Sequence, residues 1–261
     1  FEKDTGRGGF CRLYRYALAA GRITLLTDGR SRNTGPLWSP SGRWIAYTST
    51  RRNGRDNDLY LQDPAHPASA RLVREMAGGG WSVADWSPDE SQLLVLEYLS
   101  INESHLHLVE LASGNSRRLT SDVPDRVAYA KARFALGARS IVVSTDLNSE
   151  FLQLAQLDPI SGQIQSLTRH LPWDVEDFEV SPDGRRVAFV TNEDGSSVLR
   201  FYDLNRRREL NSPKLPTGVI SGLKWHPAGR EIGFTLSAAQ APGDTYSLEV
   251  KTGRLHRWTE S

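Results

Sequence analysis

The sequence contains one cysteine, Cys11, in 261 residues. A lone cysteine rules out an intrachain disulfide and leaves no Cys–His set from which a structural zinc site could be built. Its ordinary role is that of a small buried hydrophobe. One cysteine fits a cytosolic protein and does not exclude a periplasmic one. Long apolar runs are missing too. The longest, such as "LLVL" at 93–96, fall far short of a bilayer span, so no membrane role is expected. Neither sign of charge is in excess, with 32 Lys and Arg against 31 Asp and Glu. The total implies no basic patch, and nucleic acid is not an expected partner. The chain opens on Phe1 with no initiating Met, signal peptide or targeting segment. It is expected to be a piece of something longer.

What is present is a repeat. With Trp38 set as position zero, matching residues fall at Trp86, Phe134, Val180 and Trp225, in steps of 48, 48, 46 and 45. A proline follows two residues later at Pro40, Pro88, Pro182 and Pro227, with Leu136 in the third copy. The next pair reads Ser-Gly, Asp-Glu, Gly-Ala, Asp-Gly or Ala-Gly, and most of these favour a tight hairpin. Plus seven is Ile45, Leu93, Ile141, Val187 and Ile232, and plus nine is Tyr47, Val95, Val143, Phe189 and Phe234. Between them lies a residue that is usually smaller: Ala46, Leu94, Val142, Ala188 or Gly233. This pattern predicts a strand covered on both faces, with the bulkier side chains on one of them.

A polar tip follows, then a third run such as "DLYLQD" or "LRFYDL", whose alternation predicts a less buried strand. A second turn leads to a short fourth strand ending in "RRLT", "QSLT" or "HRWT". Each unit is therefore four antiparallel strands, and the period is that of a propeller blade. Nothing holds a 3.6-residue period beyond about two turns, which disfavours helical repeats. The reading is an all-β chain, a β-propeller of four-stranded antiparallel blades. Residues 30–76, 77–122, 123–170, 171–214 and 215–261 make five full blades. Residues 1–29 make a partial N-terminal blade, since "RLYRYAL" at 12–18 matches a third strand and Phe1 to Lys3 the end of a second. The missing Trp-Ser-Pro corner is expected seven to ten residues ahead of Phe1. A propeller closes to avoid exposed edges, so the parent is expected to have seven blades, with one blade and the front of another upstream.

The minus-one column is Leu37, Asp85, Arg133, Glu179 and Lys224. From the second full blade onward the signs alternate. If the innermost strands sit side by side around a channel, Asp85, Arg133, Glu179 and Lys224 form a charged arc there, each beside its opposite. The competing reading is a set of unrelated solvated charges. Beyond about a Debye length, ~8 Å, the arc has no meaning.

The strings "LYRYALAAGRITLLTDGRSRNTGPLWSPSGRWIAYTSTRRNGRDNDLY", "GGGWSVADWSP", "LEYLSINES", "PWDVEDFEVSPDGRRVAFVTNEDG" and "TGRLHRWTES" resemble the PD40-type, TolB-like propeller of the prolyl oligopeptidase family of serine peptidases. They look most like a bacterial subgroup of acylaminoacyl-peptidase or dipeptidyl-aminopeptidase type. The resemblance covers essentially the whole chain. It implies that "RWTES" leads into an α/β-hydrolase domain carrying Ser, Asp and His. It also implies that the propeller covers the hydrolase site, excludes large folded proteins and admits short peptides. The chain has no Gly-x-Ser-x-Gly elbow, because "GNSRR" at 114–118 and "GSSVL" at 195–199 lack the second glycine. By itself it is expected to be catalytically inert. The alternative is a stand-alone TolB-like scaffold that binds other proteins.

Other candidates are weaker. In "LEYLSINESH" at 96–105, Glu97 and Glu103 are set to project toward a substrate, as the resemblance implies for a glutamate pair that holds a peptide amino group. Neither aligns with that motif, and a solvated loop is the plainer reading. Glu176, in "PWDVEDFE" at 172–179, is a candidate for the channel mouth, with Trp173 read as packing between blades. His105 and His107 share a strand face, but the spacing is unspecific for metal, and no metal or cofactor is expected. "TGRGGF" and "GGG" at 78–80 lack the helix that a dinucleotide fingerprint requires. "NRRREL" at 205–210 reads as a solvated tip.

Overall fold

A computed structural model describes residues 1–4, 10–120, 126–239 and 241–261. Residues 5–9 of the "TGRGGF" stretch and the expected blade boundary at 122–123 lie outside the described residues. The regular secondary structure of the described residues is all strand apart from one short 3-10 turn at Pro67–Ser69. No helix among the described residues is long and apolar enough to cross a membrane. The strands form one three-stranded and five four-stranded sheets, each antiparallel and in sequence order.

Two compact units are present, Phe1–Arg126 and Val127–Ser261. The first unit opens with the three-stranded sheet of β1 (Glu2–Asp4), β2 (Cys11–Ala17) and β3 (Arg22–Leu25). Two four-stranded sheets follow: β4 (Asn33–Trp38), β5 (Ile45–Ser49), β6 (Asp58–Gln62) and β7 (Arg71–Arg74), then β8 (Trp81–Trp86), β9 (Gln92–Ser100), β10 (Glu103–Glu110) and β11 (Ser116–Arg118). The second unit holds β12 (Tyr129–Ala135), β13 (Ser140–Thr145), β14 (Gln153–Leu157) and β15 (Ile164–Ser166) as its first sheet. Its second is β16 (Val175–Val180), β17 (Arg186–Glu193), β18 (Ser196–Asp203) and β19 (Arg208–Leu210). Its third is β20 (Val219–Trp225), β21 (Glu231–Ala238), β22 (Ala241–Glu249) and β23 (Leu255–Arg257).

Local chemistry explains the repeated letters. The Ser of Ser-Pro accepts a hydrogen bond from the backbone five residues on, at Trp44 to Ser39, Gln92 to Ser87 and Arg186 to Ser181. Where Asp follows two residues later, the same hydroxyl donates to its carboxylate at 2.6 Å, in Ser87–Asp89 and Ser181–Asp183. The plus-four residue of every turn has a positive φ: 72° at Gly42, 59° at Glu90, 64° at Ala138, 70° at Gly184 and 67° at Gly229. The threonine ending the fourth-strand segment also has a task. Its hydroxyl accepts from a third-strand N–H, in Thr27–Leu13, Thr120–Leu106, Thr168–Leu154 and Thr259–Thr245.

Packing between consecutive sheets follows the columns. Ala46 at plus eight packs with Leu93 and Val95, the plus-seven and plus-nine residues of the next sheet. Val142 meets Val187 and Phe189 in the same way, and Ala188 meets Ile232 and Phe234. A small residue on one sheet thus receives two large ones from its neighbour, which is how close packing is reached without voids. The third strand departs from its sequence expectation in β6 and β14, whereas β10 and β18 keep the expected partial burial. Every residue of β6 is buried, and β14 is buried apart from one half-buried residue. Its alternation reflects two differently lined covered faces, because β5 and β6 both lie between sheets.

Candidate functional site

In the second unit the innermost strands β12, β16 and β20 lie side by side. Strand side chains two residues apart share a face. Lys131 and Arg133 therefore share a face of β12, as do Asp177 and Glu179 on β16. Glu179 sits at the centre and is only 8% exposed. Its carboxylate receives Lys131 Nζ at 2.9 Å, Arg133 Nη2 at 3.3 Å and Lys224 Nζ at 3.0 Å. Lys131 also reaches Asp177 Oδ1 at 2.7 Å, and its ammonium lies 5.4 Å from the ring centroid of the fully buried Phe178. Burial by itself pushes the Glu179 carboxyl up. The charges of Arg133 and Lys131, the Lys131 hydrogen bond and Lys224 more than reverse this and hold it down at about 2. The carboxylate is therefore ionised throughout the physiological range. The Lys224 side chain remains 75% exposed.

The backbone braces the same place. Trp225 Nε1 donates to the Glu179 carbonyl at 3.0 Å. In the first unit Trp86 Nε1 donates to the Leu37 carbonyl at 3.1 Å. In both cases the position-zero indole binds the minus-one carbonyl of the preceding sheet.

Of the four minus-one charges, Arg133 and Lys224 thus each pair with Glu179. Asp85 is half-buried on β8, opposite Leu94 of β9. Lys131 and Asp177 were missed by sequence reasoning. They occupy minus three, one same-face step from the column that was read, and the other copies hold Gly35, Val83 and Gly222 there. The remaining candidates have other partners. The Glu97 carboxylate accepts a hydrogen bond from His107 Nε2 at 3.0 Å, with Trp81 edge-on to the imidazole at 5.0 Å. Burial, opposed by the Glu97 contact, lowers the His107 pKa from its ordinary value. Glu103 pairs with Arg126 at 3.5 Å. Glu176 is exposed and accepts from Asn192 Nδ2 at 2.9 Å. Trp173 is half-buried. Among the described residues no group of three or more His, Cys, Asp or Glu is placed to hold a metal ion. "NRRREL" is more than a solvated tip, since Arg207 Nη2 donates to Gln165 Oε1 of the preceding sheet.

No family model matches the chain. The Bacillus subtilis protein named uncharacterized peptidase YuxL is 27% identical over 191 residues, covering 73% of this chain and 26% of that protein. The Tol-Pal system protein TolB of Francisella tularensis is 23% identical over 226 residues, covering 84% of this chain and 50% of that protein. The chain thus spans between about a quarter and a half of these curated relatives. Among solved structures, a puromycin-hydrolysing peptidase of Mycobacterium tuberculosis superposes on 100% of the chain with a TM-score of 0.79, at 14% identity and 45% of its own length. A prolyl endopeptidase superposes on 96% with a TM-score of 0.77, at 16% identity and 38% of its own length. TolB of Acinetobacter baumannii covers 96% with a TM-score of 0.66, at 18% identity and 60% of its own length. The fold is a TolB-like β-propeller. The sheets are its blades, and the chain resembles the propeller domains of prolyl oligopeptidase-family peptidases and of TolB.

Proposed function

We propose that this propeller is the non-catalytic domain of a serine peptidase, gating and orienting short peptides over an α/β-hydrolase domain that follows Ser261 in the parent chain. One observation carries this reading. The chain superposes over 96% and 100% of its length on peptidases of which it fills only 38% and 45%, while its own sequence holds no nucleophile elbow. The unfilled length leaves room for a catalytic domain. The parent propeller is read as seven-bladed. The charged cluster on the innermost strands supports the gating role. A fixed set of charges held by backbone and ion pairs gives a permanent field where a peptide passes, and charge selection follows from it. Asp85, Arg133, Glu179 and Lys224 are the residues assigned to that field. Glu97, Glu103 and Glu176 are assigned to the approach.

The likeness to TolB favours a second reading, a protein-binding scaffold without a hydrolase partner. The two are separated by the gene downstream of Ser261 and by an aminoacyl reporter assay. The full-length product is expected to hydrolyse the reporter, to lose activity on substitution of a downstream Gly-x-Ser-x-Gly serine, and to leave large folded proteins intact. The 261-residue chain is expected to be inactive. A stop codon directly after Ser261 sinks the peptidase reading in favour of the scaffold. Hydrolysis by the 261-residue chain, freed of contaminating peptidase, sinks both.

A further inference from the structure

A polar cavity of about 260 Å³ lies within the second unit and has no part in the charged cluster. It sits between the β12–β13 turn, the β14–β15 ladder and Arg207 on the turn from β18 to β19. Arg139, Ser140, Gln156, Asp158, Gln163 and Arg207 line it, with Ile164 as an aliphatic wall. The repeat explains the opening. Plus six is Trp44, Gln92, Arg186 or Glu231 in the other copies and Ser140 here. Arg186 shows what a long side chain does at that position. Its guanidinium lies 5.6 Å from the Trp225 ring centroid and donates to the Gly229 carbonyl at 3.2 Å, both on the next blade. Ser140 is too short to fill the corresponding space.

Two independent observations point to a ligand. Ser140 is only 3% exposed, yet its Oγ has no hydrogen-bond partner. A buried hydroxyl left unpaired costs free energy unless something else meets it. The second observation is the backbone of Arg207. Among the described residues, the turn joining the last two strands holds one residue in the left-handed region in five of the six sheets. Four of these are glycines, Gly21, Gly114, Gly162 and Gly253, at φ of 60–73°, and the fifth is Arg207 at 52°. A residue with a Cβ is strained there, and such strain persists where the side chain has a use. The Arg207 side chain reaches the preceding blade, where Nη2 donates to Gln165 Oε1. A guanidinium has several further N–H donors to give.

We propose that this cavity binds a small monocarboxylate that carries hydroxyl groups. Its lining sets two guanidinium groups, Arg139 and Arg207, against one carboxylate, Asp158, and so suits a single negative charge. Arginine recognises carboxylate through paired N–H donors. Asp158 Oδ1 accepts from the Ser161 and Ile160 N–H groups at 2.9 and 2.7 Å. Those bonds hold its carboxyl below the ordinary carboxylate range, so it stays ionised and disfavours a polyanion. The same carboxylate is an acceptor for a ligand hydroxyl. The amides of Gln156 and Gln163 offer donors and acceptors alike, and a hydroxyl-bearing ligand gives Ser140 the partner it lacks.

The test titrates the 261-residue chain with glucuronate by calorimetry, with glucose as the uncharged control and acetate as the control without hydroxyls. It needs no peptidase activity, so its outcome is independent of the proposed function. Glucuronate is expected to bind saturably and at least about tenfold more tightly than either control. Arg207→Gly is expected to weaken that binding by about tenfold or more, because the donors are lost. Its melting temperature is expected to be equal or higher, because glycine relaxes the φ angle. Ser140→Ala removes a hydroxyl that bonds to nothing in the protein. It is expected to weaken binding by about threefold or more without lowering the melting temperature. Residues kept for structure alone would shift the melting temperature and leave binding unchanged. Absence of saturable glucuronate binding overturns the proposal, as does glucose or acetate binding equally well. A folded Arg207→Gly or Ser140→Ala protein that binds glucuronate like the parent sequence also overturns it.

Discussion

At the residue scale, the turn after position zero is governed by one dihedral angle. The plus-four residue sits in the left-handed region in all five turns, and glycine fills it in three. A residue with a Cβ is strained there by about 1–2 kcal/mol. Glu90 has a compensation, because its carboxylate accepts from the backbone and hydroxyl of Ser41 in the preceding turn. Ala138, at a φ of 64°, has none in its methyl group. Ala138→Gly is expected to stabilise the protein by about 0.5–1 kcal/mol, the relief of strain less the greater entropy of glycine in the unfolded chain. Urea denaturation checks it, with the midpoint rising and the slope unchanged.

At the scale of elements, the fourth-strand segment is tied to the third by its terminal threonine as well as by its short ladder. Leu154 N–H donates to Thr168 Oγ1 at 2.9 Å, and both residues are at least 99% buried. Valine has nearly the same shape and no acceptor. Thr168→Val is therefore expected to leave a buried N–H unsatisfied and to destabilise by about 1–3 kcal/mol. Faster hydrogen exchange confined to the β14–β15 pair would identify the lost bond as the cause. An unchanged melting temperature would show that the threonine is retained for some other reason.

At the largest scale, Glu179 joins three blades of the second unit through Lys131, Arg133 and Lys224. Removing one member of a buried charge set costs more than the set contributes net, because the partners are left uncompensated. Asp177 still serves Lys131, and Lys224 is open to water, so the cost falls below that of a sealed pair. Glu179→Gln is expected to destabilise by roughly 1–3 kcal/mol at neutral pH. The sign of the pH dependence follows from the lowered pKa. The folded carboxyl titrates near 2 and the unfolded one near its ordinary 4.5. Its contribution is complete above the unfolded value and is lost as pH falls from there through the folded value. The difference in stability between Glu179→Gln and the parent sequence is thus expected to shrink between about pH 4.5 and 2. Calorimetry across that window checks it, and a constant difference would remove the ion pairs from the explanation.

The sequence by itself determined the repeat, the four-strand unit and the turn after Trp38, because a period of two and the φ demands of a tight turn are written within a few neighbouring residues. It also placed Arg133, Glu179 and Lys224 in one column, since that column is one step from the apolar pattern. Two things were decided only by tertiary structure. The third strand is buried in β6 and β14 because sheets cover both its faces there, and its alternation cannot tell a covered polar face from a wet one. The cluster joins three of the column's four charges, Arg133, Glu179 and Lys224, to Lys131 and Asp177, which share a face with their minus-one neighbours and meet only where β12 lies beside β16. No spacing along the chain encodes that meeting. It depends on the packing of one blade against the next.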